Sequence, residues 1–326
     1  MIKVWVLGNF FSNWVEWKTH YQYSMLNNEF EKLGCEMKFI HTPNLIIRDH
    51  SKYVEYDNEL FEVPDIALIK TFLAGSFWKE KMQKLQSLGT FIINNPDSMI
   101  EYTDKVKMYE KLESAGLPIP KTVGVDCKTK IENIIEYAKE KIGWPCVIKP
   151  NYGWSAAGVT PCYNASDLRL AIENMNASLD DVMGKSRPKP TSFVIQELVN
   201  AKYMLVFTSA GKEKFYTTMV YGGNSHLQKT TYKQHPSLNV FEKYALTVEY
   251  QPSNEVKKIF EKALDVLNLD FVRCEIFVTD DGYKICELNG SCSFGIPSIA
   301  CRENIAKDIA MHVIKKYQSS TTKVYR

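Results

Sequence analysis

Strand-like and helix-like segments alternate along residues 1–95 of this chain. The predicted strands are 2–7, 36–40, 65–69 and 90–93, and the predicted helices are 16–33 and 76–88. Parallel strands need a crossover connection, which a helix supplies, so this order favours a parallel sheet flanked by helices over other arrangements. We therefore predict an α/β domain over residues 1–95.

The rest of the chain combines helices with strands that can pair as hairpins, which predicts an α+β architecture. A polar segment at 180–192 predicts a linker between two subdomains, 96–192 and 193–326. Thr103 is expected to cap the first helix of this part, and a last helix is expected over 302–317.

Composition and charge limit the classes of partner. The 326 residues include 40 Lys and Arg against 38 Asp and Glu, a net charge of +2, and 45% are hydrophobic. These values are typical of a folded globular protein, and the near-neutral charge argues against a nucleic-acid or membrane-surface binder. No apolar run approaches the about 18 residues of a spanning helix. The N-terminus lacks the apolar core and cleavage site of a secretory peptide.

The cysteines and histidines carry no metal or redox motif. The eight cysteines include no Cys-x-x-Cys pair, and the six histidines include no pair four residues apart. We interpret the cysteines as free thiols in a reducing cytoplasm, and we expect no zinc site.

Three oxygen-bearing side chains lie on two strands that are predicted to form a hairpin. Glu275 precedes the turn at 280–282, and Glu287 and Asn289 follow it. Side chains alternate along a strand, so Glu287 and Asn289 share a face, and Glu275 joins them if its strand presents the same face. Such a group, with no basic residue to neutralise it, is typical of a hard-cation site. Mg²⁺ is favoured when phosphate supplies the other ligands.

The alternative for these carboxylates is a solvated sheet face. The neighbouring residues argue against that alternative because they are apolar: Phe271, Val272, Cys274, Ile276, Ile285 and Cys286. Arg273 lies two residues before Glu275 and so shares its face. It either stabilises charge that develops on a transferred phosphoryl group or forms a salt bridge to one of the glutamates.

A glycine-containing loop at 151–158 follows Lys149. Glycine lets backbone N–H groups approach phosphates closely, but this loop lacks the Gly-Lys-Ser/Thr of nucleoside triphosphatases. Taken alone, it is typical of an ordinary hairpin loop, and Lys105 and Lys149 are typical of surface lysines. Basic and aromatic residues also alternate over 202–235, which fits an acidic substrate, a single-stranded nucleic acid or a solvated sheet face.

Several loose motifs follow one another in a distinctive order. They are Asn94-Asn95-Pro96, Thr103-Asp104-Lys105, Ala115 to Thr122, Val147 to Pro150, the glycine loop, Val194 to Val199, Arg273-Cys274-Glu275 and Glu287-Leu288-Asn289. In this order they resemble the ATP-grasp superfamily, most closely its ribosomal-S6-modification (RimK-like) ligases, over about residues 63–317. The Arg-x-Glu step is also similar to the Arg-x-Asp of D-alanine–D-alanine ligases.

The resemblance implies an ATP-grasp fold, with an N-terminal parallel-sheet domain and a nucleotide bound between two α+β subdomains. The residues it implies for ATP binding are Lys105, Lys149, Gly153, Ser155, Gly158, Gln196, Glu197, Leu198 and Val199. Those it implies for one or two Mg²⁺ ions are Glu275, Glu287 and Asn289, and its catalytic residue is Arg273. The lysines would contact phosphates, residues 153–158 would close over them, and the backbone from Gln196 to Val199 would pair with adenine.

The resemblance also implies a reaction. ATP activates a carboxylate as an acyl phosphate and leaves as ADP, and an amine then displaces phosphate to form an amide. We expect an amino acid or peptide substrate and no membrane or nucleic-acid partner, and self-association stays open. Two rival hypotheses are a peptide macrocyclase of the same superfamily, which forms ester or amide links between side chains, and a regulatory protein that binds ATP without turnover.

Overall fold

The protein is described by a computed structural model. It covers residues 1–8, 13–48, 52–70, 76–152, 158–182, 191–220, 247–290 and 293–324. Within these ranges, no helix combines the length and the apolar composition that crossing a bilayer requires. The seven cysteines in the same ranges are free thiols.

The N-terminal domain is built on a parallel sheet, which confirms the prediction from its alternating segments. Its helices are α1 (Asn13–Lys32) and α2 (Ser76–Ser87). Its strands are β1 (Ile2–Gly8), β2 (Cys35–His41), β3 (Leu45–Ile47), β4 (Tyr53–Tyr56), β5 (Glu59–Glu62), β6 (Ile66–Ile69) and β7 (Phe91–Ile93). The parallel sheet has the order β2-β1-β6-β7. The carboxyl ends of its strands therefore meet at one edge.

A second, antiparallel sheet in this domain consists of β3, β4 and β5. The pattern of its residues in the sequence does not predict it. Each strand has only three or four residues, and Ile46, Tyr53 and Leu60 are exposed. Such short segments have too few residues to show a clear alternation of buried and exposed positions.

The central subdomain carries an antiparallel sheet. Its helices are α3 (Pro96–Thr103), α4 (Lys105–Ser114), α5 (Ile131–Lys141) and α6 (Ala165–Val182). Its strands are β8 (Thr122–Asp126), β9 (Cys146–Pro150), β10 (Thr160–Cys162) and β11 (Ser192–Glu197), in the order β10-β9-β11-β8. The linker predicted at 180–192 is wrong at both ends, because α6 continues to Val182 and β11 begins at Ser192. A subdomain boundary after Glu197 follows the sheets more closely than one at residue 192, and we propose it in place of the latter.

The C-terminal subdomain carries a five-stranded antiparallel sheet. Its strands are β12 (Tyr203–Ser209), β13 (Phe215–Val220), β14 (Thr247–Glu249), β15 (Arg273–Thr279) and β16 (Gly282–Asn289), in the order β14-β13-β12-β15-β16. Its helices are α7 (Asn254–Leu267), α8 (Gly295–Cys301) and α9 (Ile305–Val324). The last helix predicted over 302–317 is confirmed as α9, which begins at Ile305 and continues to Val324, whereas α8 was not predicted. Arg302 adopts a left-handed conformation (φ 53°) that ends α8, and α9 begins three residues later, at Ile305.

The largest core cluster joins the central helices to the C-terminal sheet. Tyr109 and Leu112 of α4 belong to the same buried cluster as Cys274 and Ile276 of β15 and Leu288 of β16. Well-packed interiors of this kind resist small displacements of their elements. The packing, together with the hydrogen bond from Tyr109 to the Cys286 carbonyl, places α4 beside the strand pair on which the sequence predicts a cation site.

Asn94, at the end of β7, connects the N-terminal domain to that strand pair. Its side chain is fully buried and its Nδ2 donates to the carbonyls of Phe271 (2.7 Å) and Gly290 (3.1 Å). Its Oδ1 accepts from the N–H groups of Asp270 (2.6 Å) and Phe271 (2.8 Å). One amide thus fixes the chain just before β15 and just after β16.

Asn94→Ala is expected to lower the free energy of unfolding by about 2 kcal/mol, because buried backbone groups lose their partner. Urea denaturation measures this value. Asn133→Ala, on the exposed side of α5, is the matched control and is expected to change it by less than about 0.5 kcal/mol. Equal stability of the two variants would contradict the role of Asn94.

Candidate functional site

Strands β15 and β16 place the predicted cation ligands on one face. Glu275 lies directly opposite Glu287, and Arg273 lies directly opposite Asn289. Residues that face each other across two strands, and residues two apart on one strand, point to the same side. The structure therefore brings Glu275, Glu287, Asn289 and Arg273 together.

A β-bulge next to this group decides which residues face the site. Glu275 pairs with Glu287, but the next pair is Ile276 with Ile285, so Cys286 is the extra residue on β16. As a consequence Ile285 and Leu288 both enter the large core cluster, although they are three residues apart. Cys286 packs instead with Val206 and Phe277 on the side of the glutamates.

The site is partly buried and contains basic groups. Glu275 is 4% exposed, which contradicts the solvated-face alternative. The expectation of a site without a neutralising base is wrong, because Lys105 Nζ lies 3.7 Å from Glu287 Oε1. Arg273 Nη2 lies 3.3 Å from Glu275 Oε1, so the salt bridge considered for Arg273 is present.

The donor set fits a hard cation that is shared with a phosphate. Two carboxylates and one amide oxygen are ligands that Mg²⁺ accepts, and they stand on a rigid strand pair. Among the described residues, no group of three or more His, Cys, Asp or Glu side chains could hold a metal by itself. A cation here would therefore need further oxygen ligands, such as those of a nucleotide.

Lys149 enters the same region from β9 and is 5% exposed, so it is not a surface lysine. Its Nζ donates to the hydroxyl of Tyr109 at 2.9 Å, and that hydroxyl donates to the carbonyl of Cys286. Burial, together with the nearby charge of Glu287, holds the pKa of the Tyr109 phenol well above its usual value. The phenol therefore stays protonated and remains a donor.

The start of α4 presents Lys105 to the site. Asp104, not Thr103 as predicted, is the N-cap of α4, because its side chain accepts from the N–H of Lys107. Asn151, which follows β9, accepts from the N–H of Val106 through its Oδ1 (3.0 Å) and donates to Asp104 (3.0 Å). This network fixes the base of the glycine loop against α4. Lys105 is 9% exposed.

Only one predicted lid residue lies in the described part of the chain. Gly153 and Ser155 fall outside it, and Gly158 has a φ of +76°. A Cβ at Gly158 would lie 2.9 Å from the ring of Pro150. Position 158 therefore requires glycine for both its backbone conformation and its close approach to Pro150.

The segment from Gln196 to Val199 leaves the central sheet at the end of β11. Gln196 is buried, and its Nε2 donates to Thr122 Oγ1 at 2.7 Å. Glu197 accepts from the N–H of Lys121 (2.9 Å) and contacts Lys284. The N–H of Leu198 donates to the carbonyl of Pro145 at 3.2 Å. Glu197 therefore contacts both subdomains, Lys121 in the central one and Lys284 in the C-terminal one.

An apolar wall lies beside this segment, and the sequence pattern does not predict it. It consists of Val199, Ala201, Met204, Val206, Phe277 and Cys286. The alternation of Met204 with Val206 on β12 was the available signal, but it did not show which face of the sheet those residues occupy. The wall lies next to Glu275 and Glu287, and a flat apolar ring could pack on it.

The described lysines of 202–235 do not form a basic face. Lys212 pairs with Asp265 (2.8 Å), Lys214 pairs with Asp308 (2.8 Å), and Lys202 pairs with an aspartate of the hairpin turn. Residues 221–246 lie outside the described part. Each of the three described lysines therefore has a carboxylate partner.

The family model "D-ala D-ala ligase C-terminus" matches residues 112–312. Among curated relatives, the tetrahydromethanopterin:alpha-L-glutamate ligase of Methanocaldococcus jannaschii is 21% identical over 310 residues, which are 89% of this chain and 93% of that protein. N-acetylaspartylglutamate synthase A of Mus musculus is 23% identical over 233 residues, 70% of this chain. The chain spans 55% of that synthase, and 25% of an uncharacterised M. jannaschii protein that is 29% identical over 105 residues.

Solved ATP-grasp structures share the fold along nearly the whole chain. A RimK domain ATP-grasp protein from Sphaerobacter thermophilus has a TM-score of 0.64 and 16% identity, with 94% of this chain and 98% of that one covered. D-alanine–D-alanine ligase from Bacillus anthracis, complexed with ATP, has a TM-score of 0.66 and 16% identity, with both chains fully covered. Macrocyclase MdnC from Microcystis aeruginosa, bound with its precursor peptide, has a TM-score of 0.62 and 14% identity over 96% and 100% of the two chains.

Proposed function

The chain belongs to the D-ala D-ala ligase C-terminus family and has the ATP-grasp fold, and from this premise we propose that it is an ATP-dependent ligase that joins a carboxylate to an amine. The observation that carries the proposal is the convergence of the buried Glu275, the partly buried Glu287, Asn289 and three cationic side chains between the subdomains. Arg273 shares the face of the carboxylates, and Lys105 reaches Glu287 from the central subdomain.

The nucleotide would occupy the space between the two subdomains. Its adenine would pack on the apolar wall beside Val199 and pair with the backbone of the segment from Gln196 to Val199. Its phosphates would lie near Lys105 and Lys149, with residues 153–158 over them. Nucleotide sites commonly combine an apolar cleft with a few convergent polar groups, which is the arrangement that these residues offer.

Glu275, Glu287 and Asn289 would hold one or two Mg²⁺ ions together with phosphate oxygens. A bound Mg²⁺ supplies positive charge that offsets the charge on the phosphoryl group. Lys105 and Arg273 lie beside the two glutamates, so they reduce the repulsion between these carboxylates before a nucleotide binds. The same cations can turn toward phosphate oxygens once the nucleotide is in place.

The reaction would proceed in two displacements. A substrate carboxylate oxygen attacks the γ-phosphorus of ATP, the bond to the bridging oxygen breaks, and ADP leaves with that electron pair. The amine nitrogen then attacks the carbonyl carbon of the acyl phosphate, loses a proton and expels phosphate. Arg273 would stabilise the charge on the transferred group, and closure of residues 153–158 would exclude water that hydrolyses the acyl phosphate.

The substrate class would be an amino acid or a peptide. Both better-covered curated relatives carry glutamate in their names, so L-glutamate belongs among the first compounds to test. A cytoplasmic location would supply ATP and keep the cysteines reduced.

Analysis of nucleotide products with Mg·ATP, pooled amino acids and short acidic peptides tests the proposal. We expect ADP and phosphate, together with a new mass equal to two substrates minus water. A peptide that loses water without gaining a partner would indicate the macrocyclase instead. Release of AMP would contradict acyl phosphate chemistry, and tight ATP binding without any product would favour the regulatory protein.

A further inference from the structure

Tyr109 of α4 is a buried side chain to which the sequence analysis assigns no function. It is 1% exposed, and its ring packs in the large core cluster. Its hydroxyl nevertheless bonds to groups on two sheets. It accepts from Lys149 Nζ on β9 at 2.9 Å, and it donates to the carbonyl of Cys286 on β16.

The Cys286 carbonyl lies in the β-bulge, directly before Glu287. Cys286 is the extra residue of the bulge, where the regular ladder of hydrogen bonds is locally disrupted. The Tyr109 hydroxyl donates a hydrogen bond to its carbonyl. The same peptide group continues into the N–H of Glu287, so its orientation sets the direction in which the Glu287 side chain leaves the strand.

The other partner of the hydroxyl is the ammonium group of Lys149. This side chain also lies over the ring of Tyr109, with Nζ 4.9 Å from the ring centroid. Gln196, at the start of the segment between the subdomains, lies close enough to the phenol to lower its pKa. One side chain therefore touches a lysine of the central sheet and the backbone that carries a glutamate of the C-terminal sheet.

We propose that Tyr109 is a positioning residue that sets the orientation of Glu287 and Lys149 relative to each other across the two subdomains. The inference rests on the proposed function, in which Glu287 binds Mg²⁺ and Lys149 contacts phosphate. Loss of the hydroxyl removes one hydrogen bond from the bulge carbonyl and one from the ammonium group, so Mg²⁺ and nucleotide reinforce each other's binding less strongly.

The chain offers a matched control in Tyr216. This residue is also buried, and its hydroxyl donates to the carboxylate of Asp308 on α9. Its strand, β13, is separated from β15 by β12. Tyr109→Phe and Tyr216→Phe each remove one buried hydroxyl, so both are expected to lower the thermal stability, and only the first touches the proposed site.

The test measures the dissociation constant of ADP by titration calorimetry, with saturating Mg²⁺ and with EDTA. The ratio of the two constants is the Mg²⁺ coupling. Tyr109→Phe is expected to lower this coupling about tenfold, as losses of groups that support metal ligands do. Tyr216→Phe is expected to leave it unchanged. All variants are measured well below the lowest melting temperature of the set.

The variant Glu287→Gln distinguishes a failure of the proposed metal site from a failure of the positioning role of Tyr109. If it leaves the coupling unchanged, the proposed metal site is wrong and the inference about Tyr109 falls with it. If it lowers the coupling while Tyr109→Phe behaves like Tyr216→Phe, the metal site stands and the positioning role is overturned. Should Tyr109→Phe not fold, incorporation of 3,5-difluorotyrosine at position 109 keeps the ring and alters its hydrogen bonds. A changed coupling then supports the role, and a wild-type coupling overturns it.

Discussion

Glu287→Gln is expected to lower Mg²⁺-dependent ADP formation about 1000-fold, or roughly 4 kcal/mol of transition-state stabilisation. The amide has nearly the same volume as the carboxylate but lacks the negative charge that would hold the cation opposite Glu275. It also leaves Lys105 without the partner that lies 3.7 Å away. Rates are measured over a range of Mg²⁺ concentrations, with the substrates that product analysis identifies.

The control for this variant is Glu261→Gln, an exposed glutamate on α7. It makes the same carboxylate-to-amide change outside the strand pair and is expected to keep the wild-type rate. The melting temperature of Glu287→Gln is expected to stay within a few degrees of the wild type, since Glu287 is only partly buried. Full activity of Glu287→Gln would refute the metal assignment.

Lys149→Met is expected to raise the dissociation constant of ADP about 100-fold, which corresponds to roughly 2.8 kcal/mol. The methionine fills the space of the aliphatic stem of Lys149 but removes its buried positive charge. The hydroxyl of Tyr109 also loses the ammonium group that donates to it. Titration calorimetry with ADP in the presence of Mg²⁺ gives the constant directly.

Lys139→Met, on the exposed side of α5 in the same subdomain, is the control. It removes an equal charge and is expected to leave ADP affinity unchanged, because exposed charges are screened by solvent and salt. An unchanged affinity in Lys149→Met would remove Lys149 from the nucleotide site. If both substitutions weaken ADP binding to the same degree, the cause is a general effect of net charge.

Local patterns were sufficient for the parallel sheet and for most strands near the site. The strand predicted at 65–69 is observed at Ile66–Ile69, because its apolar residues form one continuous buried run. The helix predicted at 76–88 is observed at Ser76–Ser87, since its buried residues Met82 and Leu85 are three positions apart, as on one face of a helix. Helix α8 was not predicted, and Arg302, which ends it in a left-handed conformation, is not a residue type that marks such a cap.

For the candidate site, the sequence by itself determined which residue types were available and that Glu287 and Asn289 share a face. Tertiary structure decided the rest. The bulge at Cys286 sets which residues oppose each other across β15 and β16, and packing of α4 brings Lys105 and Tyr109 to the glutamates. The physical reason is that side-chain alternation along a strand is local, whereas register and helix docking depend on contacts between segments far apart in the chain.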